Sequence, residues 1–165
     1  MDDLNIPLSQ QIEAYKLEAQ GLRELFKLEL KDNTGTVLYL TPHNQITWAG
    51  HTWEEWPCKI TGYAQNSSGE KSRPKFTATN PEGVFSLWVD QGATDGAILT
   101  HYTVQTSDID TNSAIYEKRI WVVNRPVSLN KNMVVLECRS TFDGHNYKIP
   151  PGAFFPPDYP HVSLR

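Results

Sequence analysis

Hydrophobic and polar positions change period along this chain, and the changes divide it into elements. Between residues 7 and 21 the apolar residues Leu8, Ile12, Tyr15 and Ala19 recur every three or four positions, with Gln10, Glu13, Lys16 and Gln20 between them. Ser9 suits a cap and Gly21 a stop, so the spacing predicts one short amphipathic helix. From Leu22 the period falls to two: Phe26, Leu28 and Leu30 alternate with Lys27 and Glu29. Asp32-Asn33-Thr34-Gly35 is turn chemistry and Val37 to Leu40 reads as the returning strand, giving a hairpin over 22–40. Thr41-Pro42-His43-Asn44 breaks it.

Alternation resumes around Ala49-Gly50, where Ile46 to Trp48 and His51 to Trp53 predict a tight hairpin. Trp56-Pro57 ends that arm. Cys58 to Gln65 is the next strand, Asn66 to Ser72 a polar loop, and the segment opened by Pro74 a strand in which Phe76, Ala78 and Asn80 alternate with Lys75, Thr77 and Thr79. Residues 81–91, PEGVFSLWVDQ, lose the two-residue period. Asn80 suits a cap, Pro81 a first helical position and Gly92 a stop, with Val84, Phe85, Trp88 and Val89 on one face of a short helix.

Further along, Ala97 to Thr106 and Ile115 to Arg125 predict a second hairpin, joined by a polar loop over Ser107 to Ser113 and ended by Pro126. Asn130-Lys131-Asn132 is a turn, and Met133 to Thr141 is the last full strand. After Phe142 the chain carries Pro150, Pro151, Pro156, Pro157 and Pro160, which donate no backbone hydrogen bond and favour extended geometry. Phe154, Phe155 and Tyr159 give that stretch adhesive side chains suited to lying on a surface. The fold expected is mainly β: antiparallel barrel-like or sandwich-like packing, with a short N-terminal helix, one short internal helix and an extended proline-rich tail. The organisation expected is a helical arm over 1–21, a β-rich module over 22–141 and an extended arm over 142–165.

Composition narrows the function. At 165 residues the chain is long enough for one domain with a real core. A net charge of −4 with no basic run is unlike a dedicated nucleic-acid binder. No window approaches the roughly 18 consecutive apolar residues of a membrane span. The N-terminus lacks a basic region followed by an apolar core, so it does not read as a secretory signal. Cys58 and Cys138 are accordingly expected reduced and buried.

Chemistry is sparse. GxGxxG, GxxxxGK[ST], GxSxG and HExxH are absent, and the two cysteines form no CxxC pair. The five histidines are scattered. Asp108, Asp110 and Asn112 resemble part of a calcium loop but lack its glycine and distal glutamate, so a solvated loop is the better reading. Trp48, Trp53 and Trp56 lie within nine residues and enclose Glu54 and Glu55. They could form a carbohydrate-binding platform or, with the glutamates, a hydrolase. Adjacent carboxylates in a strand point to opposite faces, however, and do not face each other across a bond. No catalytic, cofactor or metal site is assigned.

The order of these pieces resembles the phage minor tail protein L family of long, flexible-tailed phages. A short helix is followed by the alternating strand Leu25–Leu30. Ile46-Thr47-Trp48-x-Gly50-x-x-Trp53-x-x-x-Pro57 is similar to the family's Val-Thr-Trp-x-Gly segment leading to an aromatic and a proline. After a Gly/Ser loop, Arg73-Pro74-x-Phe76-Thr77-Ala78-Thr79-Asn80 is similar to its Arg-Pro-x-Leu-Thr-Val-Ser-Asn. Asp143-Gly144 and the proline-aromatic stretch resemble the linker that leaves the family's β module, and the likeness covers about residues 1–155.

The resemblance implies a structural virion protein of the tail tip, made and assembled in the host cytoplasm. Its copies would form a trimeric ring between the distal tail protein ring and the central hub that carries host-recognition elements, with the tape-measure protein as a further neighbour. Lambda-type members continue into a cysteine-rich domain that resembles an iron–sulfur site. Cys58 and Cys138 do not match its ligands, so no cluster is carried over. A ring subunit needs aromatic anchors and adhesive termini more than a pocket. The interface residues expected are Ile12 and Tyr15 on the N-terminal arm, and Tyr147, Phe154, Phe155 and Tyr159 on the C-terminal arm.

Overall fold

The computed structural model describes residues 21–62 and 73–141. Nine strands and two short helices form there, in the order β1 (Leu22–Glu29), β2 (Val37–Thr41), β3 (Ile46–Trp48), β4 (His51–Glu55), β5 (Cys58–Thr61), β6 (Lys75–Thr79), α1 (Val84–Asp90), β7 (Ile98–Gln105), α2 (Thr106–Asp110), β8 (Glu117–Leu129) and β9 (Met133–Ser140). The strands join in one sheet, ordered β3-β4-β2-β1-β7-β8-β9-β6-β5.

That order cannot lie flat. β4 stands second in the sheet and β5 last, a separation of roughly 34 Å at the usual strand spacing. Only Trp56-Pro57 connects them, and two residues reach about 11 Å between the flanking Cα atoms. The sheet must therefore curl until its ends meet. The junction itself closes the wrap: Trp56 N–H donates to Thr41 O at 2.7 Å on the β2 side, and Thr79 N–H donates to Pro57 O at 3.0 Å on the β6 side. Trp56 Nε1 donates to Thr79 O at 2.9 Å across the same seam. Inside, the rings of Phe26 and Phe76 sit 5.4 Å apart although β1 and β6 are four places apart in the sheet.

The inward positions follow the two-residue period. Phe26 and Leu28 on β1, with Leu30 just after it, meet Leu40, Phe76, Leu99, Val123, Val134, Leu136 and Cys138, all buried. A turn at Pro81–Gly83 leads into α1, whose Phe85 is fully buried and meets Trp56 and Trp88 edge-on at 6.0 and 5.3 Å. Asn80 holds this turn. Its side-chain oxygen accepts from Phe85 N–H at 2.9 Å, and its amide donates to Asn130 O at 2.9 Å and to Ser86 Oγ at 3.0 Å.

Four sequence expectations change. The sheet is mixed rather than purely antiparallel: β2 and β4 run parallel at Leu40↔Glu54 and Thr41↔Glu55. Two successive reversals, through β3, return the chain in its starting direction, and β4 then takes the place beside β2. Residues 106–110 form a helical turn, not a loop. Thr106 is pinned to Gly21 O by its N–H and its hydroxyl, and Ile109 packs against buried apolar residues. Pro126 does not end β8. It falls between two register shifts, at Val123/Arg125 and Pro126/Ser128, where a missing N–H is tolerated. Finally, the 81–91 helix is split, because Glu82 and Gly83 take positive φ values of 57° and 73°. The expected Cys58–Gln65 strand is seen as Cys58–Thr61 and ends at Gly62, whose φ is 79°; residues 63–65, with the Asn66–Ser72 loop, lie outside the described residues. The predicted 7–21 helix lies outside them apart from Gly21, as does all that follows Thr141.

Both cysteines are free and buried, and burial pushes each thiol up to about 12. A thiol-specific reagent at pH 8 should leave Cys58 and Cys138 unmodified in the folded chain and label both in denaturant. Rapid labelling of the native protein would contradict the closed wrap. Phe76→Ala should cost about 3–5 kcal/mol in urea unfolding, since it removes a ring that bridges opposite walls.

Candidate functional site

β1 is buried on both faces. Leu25 and Phe26 are neighbours in sequence and each is fully buried, which a strand achieves only when both sides are covered. Phe26 faces the interior. Leu25 faces outward, beneath a second cluster with Trp48, Trp53 and Val104. The β3–β4 hairpin supplies this cover. Its turn places Ala49 and Gly50 at φ of 52° and 76°, the conformation of a two-residue hairpin turn whose twist matches the strands. Ala49 N–H donates to Asn112 Oδ1 at 2.9 Å, and Trp48 Nε1 donates to Ser113 O at 3.0 Å. The turn after α2 thus clamps the hairpin against β7. Trp53 Nε1 donates to Trp48 O at 3.2 Å, which satisfies the second indole.

Over this cluster lies a row of rings in successive near-perpendicular contact. Tyr39 meets Trp53 at 5.1 Å, Trp53 meets Tyr102 at 5.8 Å, and Tyr102 meets Tyr116 at 5.3 Å. Trp48 touches Tyr102 and Tyr116 from the hairpin side, at 5.8 and 5.5 Å. His51 stacks on Tyr39 at 4.2 Å, and Lys27 Nζ stands 6.0 Å from the Tyr39 ring centre. These side chains line a cavity of about 160 Å³. That is well below the roughly 300–1,000 Å³ of small-molecule sites and suits one or two protruding side chains. Lys27 also pairs with Glu29 at 2.7 Å, which holds its amine above the ordinary lysine value.

Beyond the cavity the outward sheet face carries exposed apolar side chains among charged ones. In adjacent register, Val37 opposes Glu29, Glu29 opposes Ile98, and Ile98 opposes Val122, with Ile120 one pair along against Thr100. Val37, Ile98 and Ile120 are exposed by 37%, 39% and 42%. These three are large apolar side chains left in water between the charged Lys27, Glu29 and Arg139.

The three tryptophans read as a possible sugar platform do not assemble. Trp48 and Trp53 lie together at 6.1 Å, each only 2% exposed, while Trp56 belongs to the interior cluster. Glu54 and Glu55 are exposed. Asp108 and Asp110 sit on α2, and Asn112 takes φ of 50° just after it. Among the described residues no three His, Cys, Asp or Glu side chains converge as a metal site. The expected interface residues Ile12, Tyr15, Tyr147, Phe154, Phe155 and Tyr159 all lie outside the described residues. Tyr39, Tyr102 and Tyr116 were not singled out by sequence. The available signal was the Leu25-Phe26 pair, which implies cover on the outer face and hence outward aromatics on the strands beside β1.

Residues 25–151 match the phage minor tail protein L family. The chain belongs to this family. It is a structural protein of phage-type tails, and the β-rich fold expected from that resemblance is the one seen. A chain of a solved structure described as the virion of a native gene transfer agent particle shares the fold, with 17% identity and a TM-score of 0.60. That similarity covers 86% of this chain and 47% of the other, so this tail protein spans about half the length of that neighbour. No curated protein matches it.

One titratable contact, between His101 and Glu24, belongs to the barrel and not to the aromatic row. His101 is 4% exposed, stacks on Phe26 at 4.7 Å, and places Nε2 at 3.6 Å from Glu24 Oε1. That contact, more than the opposing effect of burial, holds the Glu24 carboxyl below its usual value. Because the folded value is the lower one, its stabilisation is present above the unfolded value near pH 4.3 and is lost as pH falls through the folded value. Glu24→Gln should therefore narrow its stability gap to wild type as urea midpoints are followed from pH 6 down through that range. A gap that widens in acid would contradict the assignment.

Proposed function

We propose that this tail protein is a subunit of the tail tip, whose copies form a trimeric ring joining the distal tail protein ring to the central hub that carries the host-recognition elements. The tape-measure protein is a further neighbour in this reading, and the particle is put together in the host cytoplasm. The chain acts by assembly and not by catalysis. The observation that carries this reading is the outward sheet face: Val37, Ile98 and Ile120 are exposed beside a row of aromatic rings whose cavity is too small for a substrate-sized ligand. Apolar and aromatic side chains held at the surface of a rigid sheet are what a permanent interface buries. Family membership supports the tail; the ring, its symmetry and its place at the tip are the proposal.

Arms supply the rest. Ile12 and Tyr15 on the N-terminal arm, and Tyr147, Phe154, Phe155 and Tyr159 on the C-terminal arm, are proposed to bury against neighbouring subunits. Segments that order only on assembly lose their conformational entropy at that step, which keeps premature association weak. Carbohydrate binding through Trp48, Trp53 and Trp56 is disfavoured, because Trp56 turns into the barrel and the other two are covered.

Deleting residues 150–165 should abolish tail formation in a complementation assay while the purified chain stays folded and unfolds cooperatively. Normal tails from the deleted chain would remove the C-terminal arm from the proposal.

A further inference from the structure

We infer that the aromatic row is a receptor for the proline-rich segment Pro156-Pro157-Asp158-Tyr159-Pro160 of this same chain, taken from its own or an adjacent copy in polyproline II form. The inference rests on the assembly reading above and names the surface that receives the C-terminal arm.

Three observations converge. The first is the shape and chemistry of the row. Half-buried Tyr39 and Tyr102 and exposed Tyr116 stand over a floor formed by the covered Trp53, with successive ring contacts at 5.1, 5.8 and 5.3 Å and interplanar angles of 82°, 79° and 78°. Such ridged, aromatic-lined surfaces accept proline rings between side chains, and polyproline II is already stiff, so little entropy is lost on docking. The segment fits that mode. Pro157 and Pro160 are three residues apart, which places them on one face of a three-residue-per-turn helix, roughly 9 Å apart.

The second observation is where the chain leaves the sheet. At the end of β9, Ser140 opposes Trp121, Trp121 opposes Leu99, and Leu99 opposes Leu28, the residue next to Lys27 of the cavity. The exit thus lies in register with the aromatic row, three strands away, or about 14 Å around the sheet. Residues 142–155 could span roughly 45 Å if extended, so Pro156 reaches the row with length to spare. The direct path crosses β8 and β7, where exposed Ile120 and Ile98 would lie beneath Phe154 and Phe155.

Charge is the third. Lys27 lines the cavity, so an aromatic enclosure that could otherwise hold a cation disfavours one here. Lys27 already pairs with Glu29 at 2.7 Å, and its remaining ammonium donors can meet a second carboxylate beside the docked prolines, where Asp158 lies between Pro157 and Pro160.

The test uses the full-length chain. Indole N–H resonances of its five tryptophans are compared between wild type and the triple variant P156S/P157S/P160S, across a dilution series, and again after adding a synthetic peptide of residues 149–163. The Trp48 and Trp53 resonances should shift in the triple variant, while those of Trp56, Trp88 and Trp121 hold still. The peptide should restore the wild-type positions, and Tyr116→Ala should block that restoration. Shifts that persist on dilution assign the segment to its own copy, and shifts that vanish assign it to an adjacent one; either supports docking. Identical spectra in wild type and triple variant with no response to peptide overturn the inference. So does a response of the same two indoles to a soluble peptidoglycan fragment and not to peptide. The two readings fail separately. If removing 150–165 abolishes tails but the indoles are silent, the arm binds elsewhere. If the indoles respond but tails form without the segment, docking stands and its role in assembly falls.

Discussion

The structure depends on the join between β4 and β5. Two residues, Trp56 and Pro57, link strands at opposite places in the sheet order, and the backbone on either side is hydrogen-bonded to Thr41 and to Thr79. A chain this short between them leaves the sheet no option but to close. Closure in turn creates the interior, since Phe26 and Phe76 can meet only across a curled sheet. It also decides the fate of the three clustered tryptophans. Trp53 and Trp56 are three positions apart, so strand alternation sets them on opposite faces: Trp53 covers the outer face with Trp48, while Trp56 turns inward to Phe85.

Much of the interior was legible because it obeys one rule. Where a strand faces the core on one side, alternation marks the buried residues, and Phe26, Leu28, Phe76, Ala78, Leu136 and Cys138 are all buried. The tight turn at Ala49-Gly50 and the helix after Asn80 were legible from local chemistry. What alternation could not convey was strand order. The parallel β2–β4 contact comes from a hairpin folding back on its own predecessor, a matter of which neighbour has space, and no local pattern encodes that. Pro126 misled for a related reason. A proline ends a regular ladder, but a bulge already interrupts the ladder of β8 at that point.

The aromatic row was hidden differently. Its rings come from β2, β3, β4, β7 and the segment before β8, so no stretch of sequence contains more than a fragment of it. Tyr39, Tyr102 and Tyr116 look like isolated half-buried positions until β1 is seen to be covered on both faces. Leu25 beside Phe26 was the one local sign of this. Such adjacent buried residues are easily passed over in a strand otherwise read as half-exposed, because the alternation elsewhere in β1 is clear.

A covered outer face carries a cost that explains the surface around it. The β3–β4 hairpin shields only part of β1, β2 and β7, and the strands extend past it. Val37, Ile98 and Ile120 occupy the uncovered remainder. Each apolar side chain left in water forgoes about 25 cal/mol for every Å² it could bury, and a solitary domain gains nothing from that choice. Assembly reverses the balance. The same sheet face that is unfavourable in the free subunit contributes to affinity once another segment lies on it, and the rigid closed wrap beneath means that the receiving surface needs no reorganisation. The burden of ordering then falls on whatever docks, which favours a partner that is already stiff. Among the parts of this chain, the proline-rich stretch after Thr141 has that property by composition alone.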